Sequence, residues 1–319
     1  MTVPVKIVVP FTASSTALFV VLVCRACVAG SCLTIGIVTL TEELPGIAQL
    51  GELMAACGPV LVLTGAGIST DSGIPAYRDD NGNWIHSKPV QAADFYNNEH
   101  IRKRYWLRSM LGWPRMQTAR PNDTHHALTR FEQQQRLQCI VTQNVDNLHQ
   151  GANSNHVVDL HGNLQTVVCL HCEAALPRQN MQEMLQSLNP RVEGQRVAIG
   201  PDGDAATANL DDLLSSFKIV ECPDCGGVLK PDVVFFGENV PAERVSYCMA
   251  QLQQSAMLLC LGTSLTVFSG FRFCRAAKAQ NIPIALINQG KTRADDISDC
   301  VVNGSCAIAL DQLSARLTR

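Results

Sequence analysis

Neither charge is in excess in this sequence: 25 basic residues against 28 acidic ones leave a formal net charge of −3 over 319 residues. A nucleic-acid surface leaves a basic footprint, and that balance contains none, so no nucleic-acid partner is expected. Basic residues cluster only at Arg102, Lys103, Arg104 and Arg108, a pattern that a solvated helix face also produces. An uninterrupted apolar run of the ~20 residues that a membrane span requires is also missing. Residues 17–23 are apolar throughout, but Pro10, Thr12, Ser14, Ser15 and Thr16 break the segment before them, so no stable membrane insertion is expected. Internal repeats and low-complexity tracts are absent. Residues 1–40 lack acids altogether and hold only Lys6 and Arg25 as bases. That segment admits a signal peptide, an organelle presequence short of arginine, or a start placed upstream of the true one. The expectation is an N-terminal segment 1–41 standing apart from a catalytic domain over 42–319.

What is present is a globular composition, 46% hydrophobic and 17% charged, long enough for one large α/β domain with insertions. Fourteen cysteines is a high count. Four fall in two C-x-x-C pairs and most of the rest sit inside apolar runs, as free buried cysteine does. The pattern favours a reducing compartment and one metal site over a disulfide framework. Apolar residues at 47, 50, 53 and 54 predict a helix over 47–57. Short apolar runs at 60–63, 139–142, 157–160, 257–261 and 283–287 each end in small or polar residues. Such strands alternating with helices predict a Rossmann-like parallel sheet covered on both faces, with ligands at the carboxyl ends of its strands. Two stretches break this rhythm and predict a smaller lobe: a helical, aromatic and basic insertion at about 84–120, and a cysteine-bearing one at about 165–228.

After the first of these strands comes Thr64-Gly65-Ala66-Gly67-Ile68-Ser69. Glycines between a strand and a helix let the backbone approach a pyrophosphate at a helix N-terminus. The dehydrogenase fingerprint would need glycine at position 70, which is threonine, and this argues against ordinary hydride transfer. Cys169 and Cys172 form one C-x-x-C pair and Cys222 and Cys225 the other. Each pair presents two thiolates to one tetrahedral ion, so the four together predict a zinc site. With four cysteines filling it, no open position remains for a catalytic water.

The run 65–69, Ser72-Gly73-Ile74-Pro75 and Tyr77-Arg78 closely resembles the first motif of the sirtuins. Four further blocks come after it in the family's order. They are Thr142-Gln143-Asn144-Val145-Asp146-Asn147-Leu148-His149, Leu160-His161-Gly162, Lys230-Pro231-Asp232-Val233-Val234-Phe235-Phe236-Gly237-Glu238 and Gly262-Thr263-Ser264-Leu265. The resemblance spans roughly residues 45–316. Residues 104–106, 112–114 and 201–204 look most like the class II subgroup, which includes a mitochondrial animal sirtuin and bacterial relatives.

That resemblance implies an NAD-consuming protein lysine deacylase with one structural zinc. Its substrates would be acylated-lysine proteins or peptides. The implied chemistry begins when the acyl-lysine carbonyl oxygen attacks C1′ of the nicotinamide ribose and nicotinamide leaves. His161 then deprotonates a ribose hydroxyl, and water finally releases lysine and O-acyl-ADP-ribose. A neutral imidazole with a pKa near ~6.5 suits that role. By position, Asn144 and Asp146 orient the nicotinamide and ribose, and Gln143 and Val145 line the ribose site. The loop Gly65, Ala66, Gly67, Ile68 and Ser69, with Tyr77 and Arg78, holds the cofactor. Gly262, Thr263 and Ser264 face phosphate and ribose, Asn288, Gln289 and Gly290 the adenosine ribose, and Cys306 the adenine. Val234, Phe235, Phe236 and Gly237 pair with an extended substrate peptide. Tyr105 and Arg108, one helical turn apart, resemble the pair that binds an acidic acyl group, which implies a preference for succinyl- or glutaryl-lysine, with simple acetyl-lysine the open alternative. One departure stands out. Ala76 occupies a position where the family often has an acid or another polar residue, which implies a weaker grip on the loop over the nicotinamide. The implied state is a monomer, in bacterial cytoplasm or in a mitochondrial matrix. Two rival readings remain open: ADP-ribosyl transfer to protein, which uses the same C1′ electrophile, and a non-enzymatic zinc and NAD-sensing module.

Overall fold

The computed structural model describes residues 8–13, 16–23, 36–79, 85, 89–192, 199–205 and 211–318. Trp84, at the edge of the expected helical insertion, and parts of the polar segment 189–208 lie outside the described residues. The chain divides into two compact units, 1–45 and 46–319. In the first, strands β1 (Val8–Ala13), β2 (Thr16–Val23) and β3 (Gly36–Thr41) form an antiparallel sheet in the order β1-β2-β3.

The second unit is built on β4 (Val60–Thr64), β5 (Leu137–Thr142) and β6 (Val157–Asp159). A smaller lobe comes next with β7 (Gly162–Cys169), β8 (Ala175–Pro177) and β9 (Leu229–Val233). The chain then returns through β10 (Met257–Leu261), β11 (Ile284–Asn288) and β12 (Cys300–Asn303). The large sheet is parallel throughout, in the order β12-β11-β10-β4-β5-β6. Every residue of β4 and β10 is buried, which is why both read as continuous apolar runs and not as alternating ones. Leu61, Leu63, Leu258 and Phe273 are among the side chains fully removed from water. Each contributes about 2 kcal/mol of hydrophobic stabilisation on the usual area scale. β12 has no counterpart among the five strands expected from the sequence. It is four residues long and buries only Cys300 and Val302, too short a pattern to separate from a loop.

The order of the strands decides where a ligand can bind. From β4 the chain runs to β5 and β6 on one side, and later to β10, β11 and β12 on the other. The crevice of an open α/β sheet lies where this order reverses, outside the carboxyl ends of the central pair. Here that pair is β4 and β10, aligned from Val60–Met257 to Thr64–Leu261.

The smaller lobe holds the antiparallel sheet β8-β7-β9 and the helices Glu99–Thr118, Arg178–Leu188 and Asp211–Ser216. The long helix starts at Asn98, whose side chain accepts from the His100 and Ile101 amides at 2.9 and 3.4 Å. It buries Tyr105, Trp106, Leu107 and Met110 against Met181, Leu185, Leu229 and Phe235. Arg178 is also buried here. Its guanidinium lies over the Trp113 and Trp106 rings and donates to Ser109 O. The lobe extends a few residues beyond the expected insertion, from Gly162 to Val233, because β7 and β9 pair with one another at both ends.

Candidate active site and zinc centre

At the switch point the two central strands end in glycines that let their loops touch. Gly67 N donates to Gly262 O at 2.8 Å and Gly65 N to Leu261 O at 3.1 Å. A Cβ on Gly67 would stand 2.8 Å from Gly262 O, and one on Gly65 would stand 2.6 Å from Thr263 Cβ. Gly262 itself has φ +56°, the left-handed region that glycine enters without cost. The floor this leaves suits the close approach of a dinucleotide. In place of the expected helix start, the segment after β4 forms two single turns of 3₁₀ helix, Ala66–Ile68 and Thr70–Ser72. Local amides, and not a long helix dipole, therefore face the crevice.

The cavity above this floor measures about 510 Å³. Of the expected cofactor residues, Gly65, Ala66, Gly67, Tyr77, Arg78, Gln143, Asn144, Val145, Gly262, Thr263, Ser264, Asn288, Gln289 and Cys306 line it. Val234, Phe235, Phe236, Gly237, Tyr105 and His161 line it as well. Ile68, Ser69 and Asp146 are buried behind the surface, and the half-buried Gly290 is not among the lining residues. Gly290 turns its amide to Asn303 Oδ1, 3.3 Å away. Beneath the cofactor loop, Ser69 bonds to Asp146 at 2.7 Å. Its second oxygen accepts the Leu148 amide at 3.0 Å, which makes it both a turn cap and a prop under the cofactor loop. Burial holds its carboxyl above the usual range, against the pull of these two hydrogen bonds. Asn144 does face the cavity, and its Nδ2 donates to Gly65 O at 3.1 Å and to Ser69 Oγ at 3.0 Å.

His161 comes after β6 at the mouth of this cavity. Its Nδ1 is 2.9 Å from Gln143 O and its Nε2 is 2.8 Å from Ser269 Oγ. Burial pushes its pKa below the ordinary histidine value, opposed by the Gln143 hydrogen bond and helped by the charges of Arg244 and Arg272. The ring is therefore neutral at physiological pH, with a basic nitrogen available. Beyond it, Tyr77, Tyr105, Leu164, Val233 and Phe235 make a largely apolar end, and burial raises both tyrosine hydroxyls well above their usual range.

Tyr105 lines the cavity, while Arg108, one turn on in the same helix, bonds to a loop. Arg108 Nε donates to Ala205 O at 2.8 Å and its NH1 lies 3.9 Å from Asp204 Oδ2, so it is not among the residues lining the cavity. The loop that captures it fits against the helix at Gly112, where a Cβ would overlap Gly203 O. Leu164, Asp202, Ser269 and Arg272 also line the cavity, and none of them is expected from the sequence. Ser269 lies only four residues beyond the Gly262–Leu265 block, but its approach to His161 is tertiary and leaves no local signal.

In the smaller lobe the four cysteine sulfurs lie within 4.8 Å of one another. Cys169 and Cys225 are 3.5 Å apart and Cys172 and Cys222 are 3.7 Å apart. Four thiolates at the usual Zn–S distance around one tetrahedral ion stand about 3.8 Å apart, so these residues fit zinc. Gly227 makes the knuckle possible, since a Cβ there would stand 2.9 Å from Cys169 Sγ and 3.1 Å from Cys225 Sγ.

A parallel sheet with a glycine floor at its switch point, a neutral histidine beside it and a four-cysteine lobe define an NAD-binding enzyme of the α/β class with a structural metal. The Sir2 family model matches residues 65–269, and the chain belongs to that family. It is 51% identical over 273 residues to an NAD-dependent protein deacetylase of Xanthomonas campestris pv. campestris, covering 86% of this chain and 92% of that one. It is 44% identical over 270 residues to the NAD-dependent protein deacylase Sirt4 of Drosophila melanogaster, covering 84% and 86%. Among solved structures it resembles a Sir2 enzyme described with a p53 peptide and NAD+, at TM-score 0.65 and 25% identity, over 84% of this chain and 97% of that one.

Proposed function

We propose that this protein is an NAD-dependent protein lysine deacylase, which transfers the acyl group of a modified lysine to ADP-ribose and releases nicotinamide. The observation that carries the reading is His161, an imidazole lining a dinucleotide-sized cavity with one ring nitrogen fixed by a backbone carbonyl. Its relatives' names as deacetylase and deacylase support the same activity. In this reading His161 takes the proton of a ribose hydroxyl. Gln143 and Asn144 hold the ribose and nicotinamide ends, with Ser69 and Asp146 supporting Asn144 from behind. The Val234–Gly237 segment that follows β9 accepts the substrate peptide by backbone pairing. Zinc held by Cys169, Cys172, Cys222 and Cys225 shapes the smaller lobe and supplies no catalytic chemistry, because four thiolates leave no open position.

Acyl-lysine proteins or peptides are the substrates this reading implies, as the p53 peptide and the propionylated peptide of related Sir2 structures support. No described helix is long and apolar enough to cross a membrane. No disulfide joins the described cysteines, which supports a reducing compartment such as bacterial cytoplasm or a mitochondrial matrix. The test is incubation with NAD and acetyl-, succinyl-, glutaryl- and long-chain acyl-lysine peptides, with products read by mass. Free lysine peptide, nicotinamide and O-acyl-ADP-ribose are expected from the parent protein and not from H161A. Silence across the panel in zinc-loaded, NAD-binding protein would contradict the reading.

A further inference from the structure

The helix Phe268–Ala279 begins at the cavity rim, and its second residue, Ser269, places Oγ 2.8 Å from His161 Nε2. On the other side of the ring Nδ1 meets Gln143 O, an atom that only accepts. Nδ1 therefore carries the hydrogen of the neutral ring, and Nε2 is the bare nitrogen to which the Ser269 hydroxyl donates. Gly270 allows this approach, because a Cβ there would stand 2.5 Å from Gln143 Oε1 and 2.9 Å from its Cδ. Gln143 has little freedom to move aside, since its Nε2 donates to Thr64 O at 3.1 Å and to Thr263 Oγ1 at 3.0 Å. The main chain of His161 is pinned as well, with its carbonyl accepting Val234 N at 2.7 Å. Of these three attachments, only the one from Ser269 is made to the atom that would receive the proton.

We infer that Ser269 is a positioning residue for the acyl-transfer stage, holding His161 Nε2 at the cavity, yielding it to the ribose hydroxyl and accepting from Nε2–H after proton transfer. This rests on the deacylase reading. In that step the ribose O–H bond breaks and its electron pair forms the new bond to the acyl-derived carbon, while the C=N π bond of the imidate at that carbon breaks and its pair moves onto the lysine nitrogen. The proton forms the Nε2–H bond, so the ring becomes cationic. Burial and the charges of Arg244 and Arg272 disfavour that cation, and only the Gln143 carbonyl at Nδ1 works the other way. A hydroxyl donates in one state and accepts in the next, which an alkyl side chain at this position cannot do.

Departure of nicotinamide precedes the step that needs a base, so the two stages can be read separately in S269A. Exchange of labelled nicotinamide into NAD, measured with acyl peptide present, reports the first stage. Formation of O-acyl-ADP-ribose reports the second. The expected result is exchange retained within about twofold, transfer reduced about tenfold, and recovery in S269T, whose hydroxyl is kept. Unchanged transfer in S269A would overturn the inference. So would a parallel loss of exchange and transfer, which marks general damage to the cavity. If the parent protein is silent in both assays, the deacylase reading itself falls and takes the inference with it.

Discussion

The Ser69 hydroxyl stands 2.7 Å from Asp146 Oδ2, and the same Ser69 oxygen accepts from Asn144 Nδ2 at 3.0 Å. A buried acid therefore reaches the cavity through two other side chains. D146A would leave the Ser69 hydroxyl and the Leu148 amide without their acceptor, at a cost of about 2–3 kcal/mol in stability. Because Asn144 loses its support, the Kd for NAD should rise about tenfold, while D146N falls between the two. Calorimetric NAD titration and denaturant unfolding read both effects, and an unaltered Kd in folded D146A would contradict this role.

His125 and His149 stack edge to face behind the cofactor strand, their centroids 4.9 Å apart, and His149 Nε2 is 3.0 Å from Thr64 Oγ1. Burial lowers the His125 pKa to about 4 and that of His149 well below its ordinary value. In the unfolded chain both return to about 6.5. Between those values the unfolded state binds protons that the folded state refuses, so stability is full above about pH 6.5 and declines as pH falls. The decline should reach about 1.4 kcal/mol per pH unit for each histidine. Urea unfolding at pH 7.5, 6 and 5 tests this, with H125Q and H149Q each expected to flatten the slope. A stability that rises on acidification would contradict it.

Zinc should be released at one ion per chain by a strong chelator, and the smaller lobe should loosen as it goes. C225S is expected to bind zinc weakly and to lose several degrees in Tm, because the lobe's sheet pairs β7 and β9 directly beside the cysteines. Metal analysis with thermal melting reads both quantities. Full stability after complete zinc removal would show that the cysteines hold no structural ion.

Arg108 is held by Ala205 O and Asp204 at the loop 199–205, whose Asp202 lines the cavity. R108M should therefore loosen that loop and lower activity on acetyl- and succinyl-lysine peptides by similar factors. A loss confined to succinyl peptides would restore the carboxylate-binding role that its spacing from Tyr105 implies.

The parts of the site that the sequence displays are those set by local geometry. Gly65, Gly67 and Gly262 read correctly because a strand-end loop that touches its neighbour tolerates no Cβ, and the C-x-x-C pairs because two thiolates on one turn have few other uses. Asp146 is legible as part of a motif but not as a prop, since its partner Ser69 lies on another strand's loop. The same kind of gap hides the setting of Arg108: helical spacing puts it one turn from Tyr105, while a loop almost a hundred residues on supplies an acceptor for its guanidinium. Ser269 depends on the close approach that Gly270 permits between a helix and Gln143, which no periodicity announces. β12 escapes notice because four residues with two buried do not rise above a loop.

In the proposed reaction His161 directs ADP-ribose onto an acyl group and not onto protein. NAD labelled in its adenylate, incubated with acetyl-lysine peptide and the parent protein, tests this most directly. The account predicts that label leaves as O-acyl-ADP-ribose in a one-to-one ratio with nicotinamide and free lysine peptide, and that H161A abolishes it. Label retained on protein, at a level H161A leaves unchanged, would contradict the account and favour ADP-ribosyl transfer.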